Sequence, residues 1–187
     1  MLMNPRVIES VQGKVFLEAL STGAHLPWIF ETLSRVLGKP VGEVDMVRTE
    51  EGRPCFPGLG MDVNWSHSRK VCVLAYSFDC KVGVDLEFHR PRSLQIAKRF
   101  YAAEENEWLF GAANAFTEAE QLREFYRLWC RKEALFKCTG GAFLGGTLSM
   151  NLLTSSTKNA SLFDLQGPFE APHACCLATS SRADSAL

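Results

Sequence analysis

Two short segments hold most of the residues in this chain that could do chemistry. The first is Gly83-Val84-Asp85-Leu86-Glu87, and the second is Trp129-Cys130-Arg131-Lys132-Glu133-Ala134-Leu135-Phe136-Lys137. Asp85 and Glu87 stand two apart in a strand-like run, so both side chains leave the same face. Two hard oxygen ligands side by side, with a third from elsewhere in the fold, suit a magnesium ion. A lysine beside such an ion points to phosphate chemistry. The plainer reading is that alternation puts both acids on the solvent side, opposite Val82 and Val84. Taken alone, the pair decides nothing.

Glu133 shifts that balance. Leu122, Phe125, Tyr126, Trp129 and Phe136 recur at helical spacing and define a buried arc. Glu133 follows Trp129 by one turn and precedes Phe136 by another, which places it inside that arc. A buried carboxylate without a partner is costly, and a cation relieves the cost. An i,i+4 ion pair with Lys137 is the competing account, and on this helix alone the two stand even.

Other segments supply polar groups. Asn64-Trp65-Ser66-His67-Ser68 gathers several donors, which suits a phosphate oxygen, although a loop histidine bonded to backbone is the commoner arrangement. Arg53, in Gly52-Arg53-Pro54, reads first as a solvated loop residue and second as a contact for an anionic or planar ligand. Arg90, Arg92, Lys98 and Arg99 read as a solvated basic face, close enough to the acids to keep an acidic partner in view. The chain has no Walker loop, no G-x-G-x-x-G, no nucleophile elbow and no cysteine with an ordered base. The chemistry then needs a metal, and a nucleophile brought by the substrate.

The elements that must position these groups are legible in outline. A helix is predicted from Pro27 to a stop at Gly38, burying Trp28, Ile29, Leu33, Val36 and Leu37. Residues 50–60 carry loop signals. Val71–Phe78 and Val82–Phe88 read as strands joined in a hairpin by Asp79-Cys80-Lys81. Ser93 caps a short helix that turns Leu94, Ile96, Ala97, Phe100 and Tyr101 inward. A long helix runs from Glu118 to Cys138 and stops at Gly140-Gly141. Leu148–Leu153, Ser161–Leu165 and Ala174–Ala178 read as strands of a second small sheet, and Ser181–Leu187 as a frayed tail.

Composition bounds the function class. At 187 residues the chain is long enough for a proper core. A net charge of −1 argues against bulk nucleic-acid binding and against a polybasic membrane anchor. No apolar run reaches the length of a membrane span, and the first twenty or so residues show no signal-peptide core. Seven cysteines without any C-x-x-C spacing fit reduced thiols and a cytoplasmic location.

At these residues the sequence resembles the 4'-phosphopantetheinyl transferases, in their longer pseudo-dimeric group that includes the surfactin-synthetase-activating enzyme. The resemblance rests on Gly52-Arg53-Pro54, Asn64 to Ser68, Gly83 to Glu87 and Trp129 to Lys137, in that order, with Ile96-Ala97-Lys98-Arg99-Phe100 besides. It covers roughly residues 27–180, and ordered co-occurrence is more specific than any single motif. It favours the metal over the ion pair at Glu133.

The resemblance implies an α+β fold of two similar halves, each a small antiparallel sheet with a packed helix, related by a pseudo-twofold axis. The halves would be residues 1–82 and 83–180, followed by a flexible tail at 181–187. Coenzyme A would lie between them, with Asp85, Glu87 and Glu133 holding magnesium or manganese against its pyrophosphate. Lys137 would bind the phosphates, Ser66 and His67 the nucleotide end, and Arg53 would lie where the family's loop meets the adenine. Glu105 falls where several members carry an acid near the reaction centre, with Glu104 as the alternative alignment. The implied reaction transfers phosphopantetheine to a serine of an apo acyl or peptidyl carrier protein and releases adenosine 3',5'-bisphosphate, and the implied enzyme is a monomer. Glu133, Glu105 or a metal-bound water would be the base.

This chain departs from the pattern twice. The region before residue 40 carries only Arg6, Lys14, Arg35 and Lys39 where longer members have a basic stretch for the 3'-phosphate. Trp65 stands where an aliphatic residue is usual. Two rival functions share the same residues: a magnesium-dependent phosphohydrolase, and a non-catalytic homologue that binds coenzyme A or a carrier.

Overall fold

Val15, Leu17 and Ala19 alternate with Phe16, Glu18 and Leu20, and this period of two gives one strand two buried faces. That strand lies inside the larger of the two main sheets. The structure is a computed structural model that describes residues 6–21, 24–140, 150–166 and 172–182. In chain order its elements begin with β1 (Arg6–Ser10), β2 (Gly13–Ser21), α1 (His25–Leu37), β3 (Val47–Arg48) and β4 (Pro54–Cys55). There follow β5 (Asp62–Ser68), β6 (Val71–Ser77), β7 (Lys81–Phe88), α2 (Ala97–Phe100), α3 (Ala103–Phe110), α4 (Glu118–Cys138), β8 (Ala160–Asp164) and β9 (His173–Ser180).

The fold is α+β, with two main antiparallel sheets, each backed by a helix, and a separate two-stranded β3-β4 pair. The first sheet has the order β1-β2-β6-β5 and the second β7-β9-β8. Helix α1 lays Trp28, Ile29 and Leu33 against Val63, Cys72 and Leu74 on the outer face of the first sheet. Helix α4 lays Cys130, Ala134, Leu135 and Cys138 against Leu162, Cys176 and Ala178 on the second. Between the sheets, Val15, Leu17, Val73 and Ala75 meet Val82, Val84, Leu86 and Leu177. A fourth cluster packs Ala97, Tyr101 and Leu109 onto the first half of α4.

The helix boundaries follow local chemistry. Helix α1 starts at His25, two residues before Pro27, and ends at Gly38, whose φ of 64° lies in the left-handed region. Helix α4 spans the expected residues, and Thr117 caps it through a reciprocal pair with Glu120. Ser93 accepts from the Gln95 amide and starts the short helical turn before α2, as expected. Gly141 and residues 183–187 lie outside the described residues. All seven cysteines are unpaired, and all but Cys55 are buried. Among the described residues no helix is long and apolar enough to cross a membrane.

Three expectations about the strands need correction. Strands β6 and β7 do not form a hairpin: β6 is bonded on both sides, by β2 and β5, so it has no free edge. Ser77 Oγ instead accepts the amides of Asp79 and Cys80 and bends the chain toward the second sheet. Asn64 to Ser68 is strand rather than loop. Of the predicted strand at Leu148–Leu153, residues 148–149 lie outside the described residues and 150–153 form no strand. Their backbone groups are taken by side chains, among them Lys132 on the Met150 carbonyl and Arg131 on Leu152 and Leu153. The β1–β2 hairpin and α3 were not foreseen.

Gly83 sets how closely α4 approaches the second sheet. A Cβ there would overlap the Ala134 carbonyl and the Cys138 amide of α4, both of them backbone atoms. Gly83→Ala is therefore expected to displace the helix and cost about 3 kcal/mol or more, the upper end of overpacking. Thermal melting checks this; a shift under about 2 °C would mean that α4 moves freely.

Candidate active site

The site lies where the two sheets meet. Strands β5 and β7 are edge strands of different sheets, and alternate side chains of β5 reach the amides of β7. Asp62 Oδ2 accepts the Val82 N–H at 2.8 Å, Asn64 Oδ1 the Val84 N–H at 2.9 Å, and Ser68 Oγ the Phe88 N–H at 3.2 Å. Ser66 occupies the remaining position in that series and does something else. Its hydroxyl donates to Asp85 Oδ1 at 3.0 Å.

Asp85 is only 5% exposed. Lys137 Nζ reaches across from α4 to Asp85 Oδ1 at 2.7 Å, and also donates to the Val84 carbonyl at 3.2 Å and to Ser66 Oγ at 3.4 Å. The ion pair of Lys137 is therefore with Asp85, not with Glu133 one turn away. Asp85 Oδ2 is buried and, among the described residues, accepts no hydrogen bond of good geometry, although the buried Cys130 thiol lies close enough for Asp85 to raise its pKa further after burial. Glu87 and Glu133 are half-buried beside it. Burial raises the pKa of both above the ordinary glutamate value, and the charge of Asp85 adds to it. Arg90, Arg92 and Lys137 oppose the shift at Glu87, and Lys137 opposes it at Glu133.

This cluster is electrostatically unsatisfied. Carboxylate oxygens are the ligand type that a hard divalent cation takes. Among the described residues, however, no three acids, histidines or cysteines stand in an arrangement that could hold a metal ion as they are, and the ammonium of Lys137 holds one Asp85 oxygen.

The other predicted residues take three different places. Arg53 is not a solvated loop residue. Its guanidinium grips Asp62 at 3.0 and 2.7 Å, donates to the Val82 carbonyl at 2.9 Å, and its side chain is 12% exposed. Asp62 raises its pKa against the opposing effect of burial. His67 is exposed on β5 and stacks on His25 at 4.5 Å between ring centroids, and that neighbour together with partial burial lowers the pKa of His25. A cavity of about 220 Å³ opens beside Arg53 and Lys137, with Pro54, Trp65 and Phe136 in its walls.

Glu105 stands apart from this group. It is 0% exposed, pairs with Lys132 Nζ at 2.7 Å, and accepts the amides of Ala102 and Leu152 at 2.8 Å each. Lys132, 1% exposed, has its pKa lowered by burial and partly restored by Glu105. Neighbouring Arg131 pairs with Asp164 at 2.6 Å and donates to three successive carbonyls, Leu152 to Thr154. Within one helical segment, Arg131 and Lys132 hold the structure together while Glu133 and Lys137 face the cleft.

A model of the 4'-phosphopantetheinyl transferase superfamily matches residues 81–183, more than half of the chain. The chain belongs to that superfamily. It is 32% identical over 114 residues to the 4'-phosphopantetheinyl transferase HetI of Nostoc sp., covering 58% of this chain and 46% of that protein. It is 38% identical over 92 residues to Sfp of Bacillus subtilis, covering 49% and 39%, and 36% identical over 113 residues to AcpT of Salmonella typhimurium, covering 59% and 55%. The chain thus spans about half the length of the curated relatives it matches.

Reading the motifs alone missed Asp62 and His25, and it gave no separate role to Asn64, Arg131 and Lys132. A signal existed for Lys132: it continues the Phe125, Leu128 row toward Leu135 at i,i+3 and i,i+4 spacing, a buried row in which a lysine demands an acid. Nothing comparable marked Asp62 and Asn64, because their partners are backbone amides of another strand.

Two predictions follow from this geometry. Glu105→Ala strands a buried ammonium and should cost about 3–5 kcal/mol, whereas the double variant Glu105→Leu, Lys132→Met should recover most of that in chemical denaturation. A double variant no more stable than the single one would contradict the structural role. The second concerns pH. The folded, metal-free protein binds protons at Glu87 and Glu133 more tightly than the unfolded chain, so their contribution falls as pH rises through and above the ordinary value of 4.5. Glu133→Gln should therefore raise the metal-free melting temperature by about 1–4 °C near pH 7, and by less near pH 5. Melts at both pH values check it; equal shifts would remove carboxylate repulsion as the cause.

Proposed function

We propose that this protein transfers 4'-phosphopantetheine from coenzyme A to a serine of an apo acyl or peptidyl carrier protein, with magnesium or manganese as the cofactor. The observation that carries the proposal is the buried Asp85 carboxylate. One oxygen is held by Lys137 and Ser66, the other accepts no hydrogen bond among the described residues, and Glu87 and Glu133 crowd beside it. A buried carboxylate oxygen that accepts no hydrogen bond, among like charges, is the environment a divalent cation would complete. Asp85, Glu87 and Glu133 would hold that ion, which when bound would offset charge on the pyrophosphate.

The protein groups would divide the remaining work. Lys137 would turn part of its charge from Asp85 to the phosphates, and Ser66 and His67 would meet the nucleotide end. Arg53, fixed by Asp62, would present a rigid guanidinium edge to the adenine side of the cleft. The carrier serine oxygen would attack the β-phosphorus as the bond to the bridging oxygen breaks, and adenosine 3',5'-bisphosphate would leave. The serine proton needs an acceptor. Glu133, with its raised proton affinity, is better placed for it than Glu105, whose oxygens are already engaged by Lys132 and two amides. We assign Glu105 a positioning role. The exposed Arg90, Arg92, Lys98 and Arg99 would steer an acidic carrier. Residues 1–82 and 83–180 would be the two halves of a monomeric, cytoplasmic enzyme.

Intact-mass spectrometry of an apo carrier incubated with coenzyme A, magnesium and this protein tests the proposal. The expected result is a phosphopantetheine mass gain, abolished by chelator and reduced about 100-fold or more by Glu133→Gln. No gain on any acyl or peptidyl carrier would overturn it. Coenzyme A breakdown in the same tube would then favour a phosphohydrolase, and intact coenzyme A a binding protein.

A further inference from the structure

The cavity between the Thr49–Arg53 turn, β5 and the end of α4 has a composition that the pyrophosphate chemistry does not explain. Its volume of about 220 Å³ is below the usual range for drug-sized ligands, so it receives one ring-sized fragment rather than a whole cofactor. Two of its walls are aromatic and come from different elements, Trp65 on β5 and Phe136 on α4. Pro54 adds a third apolar surface, and Lys137 puts an ammonium at its margin. Glu51, Arg53 and Asn64 are also in the lining, so the slot fits a flat, apolar-faced fragment whose anionic group lies on the Lys137 side and away from Glu51.

Trp65 is also held in place. Asp62, Asn64 and Ser68 turn their side chains to β7, so Trp65 at the alternate position points elsewhere, and it packs partly on the cluster that includes Trp28 and Leu33. An indole supported from behind presents a pre-organised face, and little entropy is lost when a ring stacks on it.

We propose that Trp65 is the platform on which the purine base of the substrate stacks, so that this chain recognises the base through π-contact. The inference rests on the coenzyme A reading above. Stacking of one base on an aromatic side chain is worth about 5- to 150-fold in affinity.

The test titrates adenosine 3',5'-bisphosphate, with magnesium, into the full chain and into Trp65→Phe and Trp65→Val, followed by calorimetry and tryptophan fluorescence. Wild type is expected to bind with a fluorescence change. Trp65→Phe should lose that change yet bind within about threefold of wild type, and Trp65→Val should bind at least about fivefold more weakly. Should the valine variant fail to fold, the phenylalanine variant and its lost signal decide the matter. Undiminished binding by Trp65→Val, or a fluorescence change that persists in Trp65→Phe, would overturn the platform. Wild type that binds neither the bisphosphate nor coenzyme A would instead overturn the coenzyme A reading itself.

Discussion

An edge strand has amides that must find acceptors, and in this fold the acceptors come from side chains rather than from another strand. Strand β7 lies at the border of the second sheet, with β9 on one side and β5 of the first sheet on the other. Asp62, Asn64 and Ser68 project from β5 at every second or fourth residue and take the amides of Val82, Val84 and Phe88. Buried amides left without acceptors would cost about 1–3 kcal/mol each. This row joins the sheets without merging them into one, and it leaves a gap at Ser66. That hydroxyl turns to Asp85, so the joint and the site are one row of side chains with one member reassigned.

The same economy governs α4. Successive residues on a helix are separated by about 100°, so Arg131, Lys132 and Glu133 cannot share surroundings. Arg131 and Lys132 go inward and are fully paired with Asp164 and Glu105. Glu133 goes to the cleft and is left among like charges. A buried pair that is complete stabilises a structure in one arrangement, while an incomplete cluster stores repulsion that a cation or a phosphate can relieve. Two neighbouring side chains on one helix thus sit in opposite electrostatic situations.

Much of this was legible in the sequence, for reasons that can be stated residue by residue. The span of α4, the Gly38 stop and the strands at 71–77 and 81–88 follow from periodicity and turn chemistry, which are local. The pairing of β6 was misread because a short polar link between two apolar runs looks the same whether it closes a hairpin or passes between sheets. The segment at 150–153 was misread because its hydrogen bonds go to Lys132, Arg131 and Glu105, far away in sequence. The acids were singled out as residue types, but alternation suggested that Asp85 faces water. It does not, because α4 covers that face and Gly83 lets it come close.

That distinction bears on what the family motifs mean. Of the residues that carry the resemblance, Asn64, Gly83 and Lys132 serve the frame: one accepts a β7 amide, one admits a helix, one fills a buried pair. Ser66, Asp85, Glu87, Glu133 and Lys137 face the cleft. A chain could keep every motif for the sake of the first group alone, since loss of any of them strands a polar group or opens the packing. The two cases differ in what they ask of a buried carboxylate. A carboxylate kept for stability would have both oxygens engaged, as Glu105 has. Asp85 has one oxygen engaged by Lys137 and Ser66 and, among the described residues, one that accepts no hydrogen bond, a costly arrangement for a group kept only for stability.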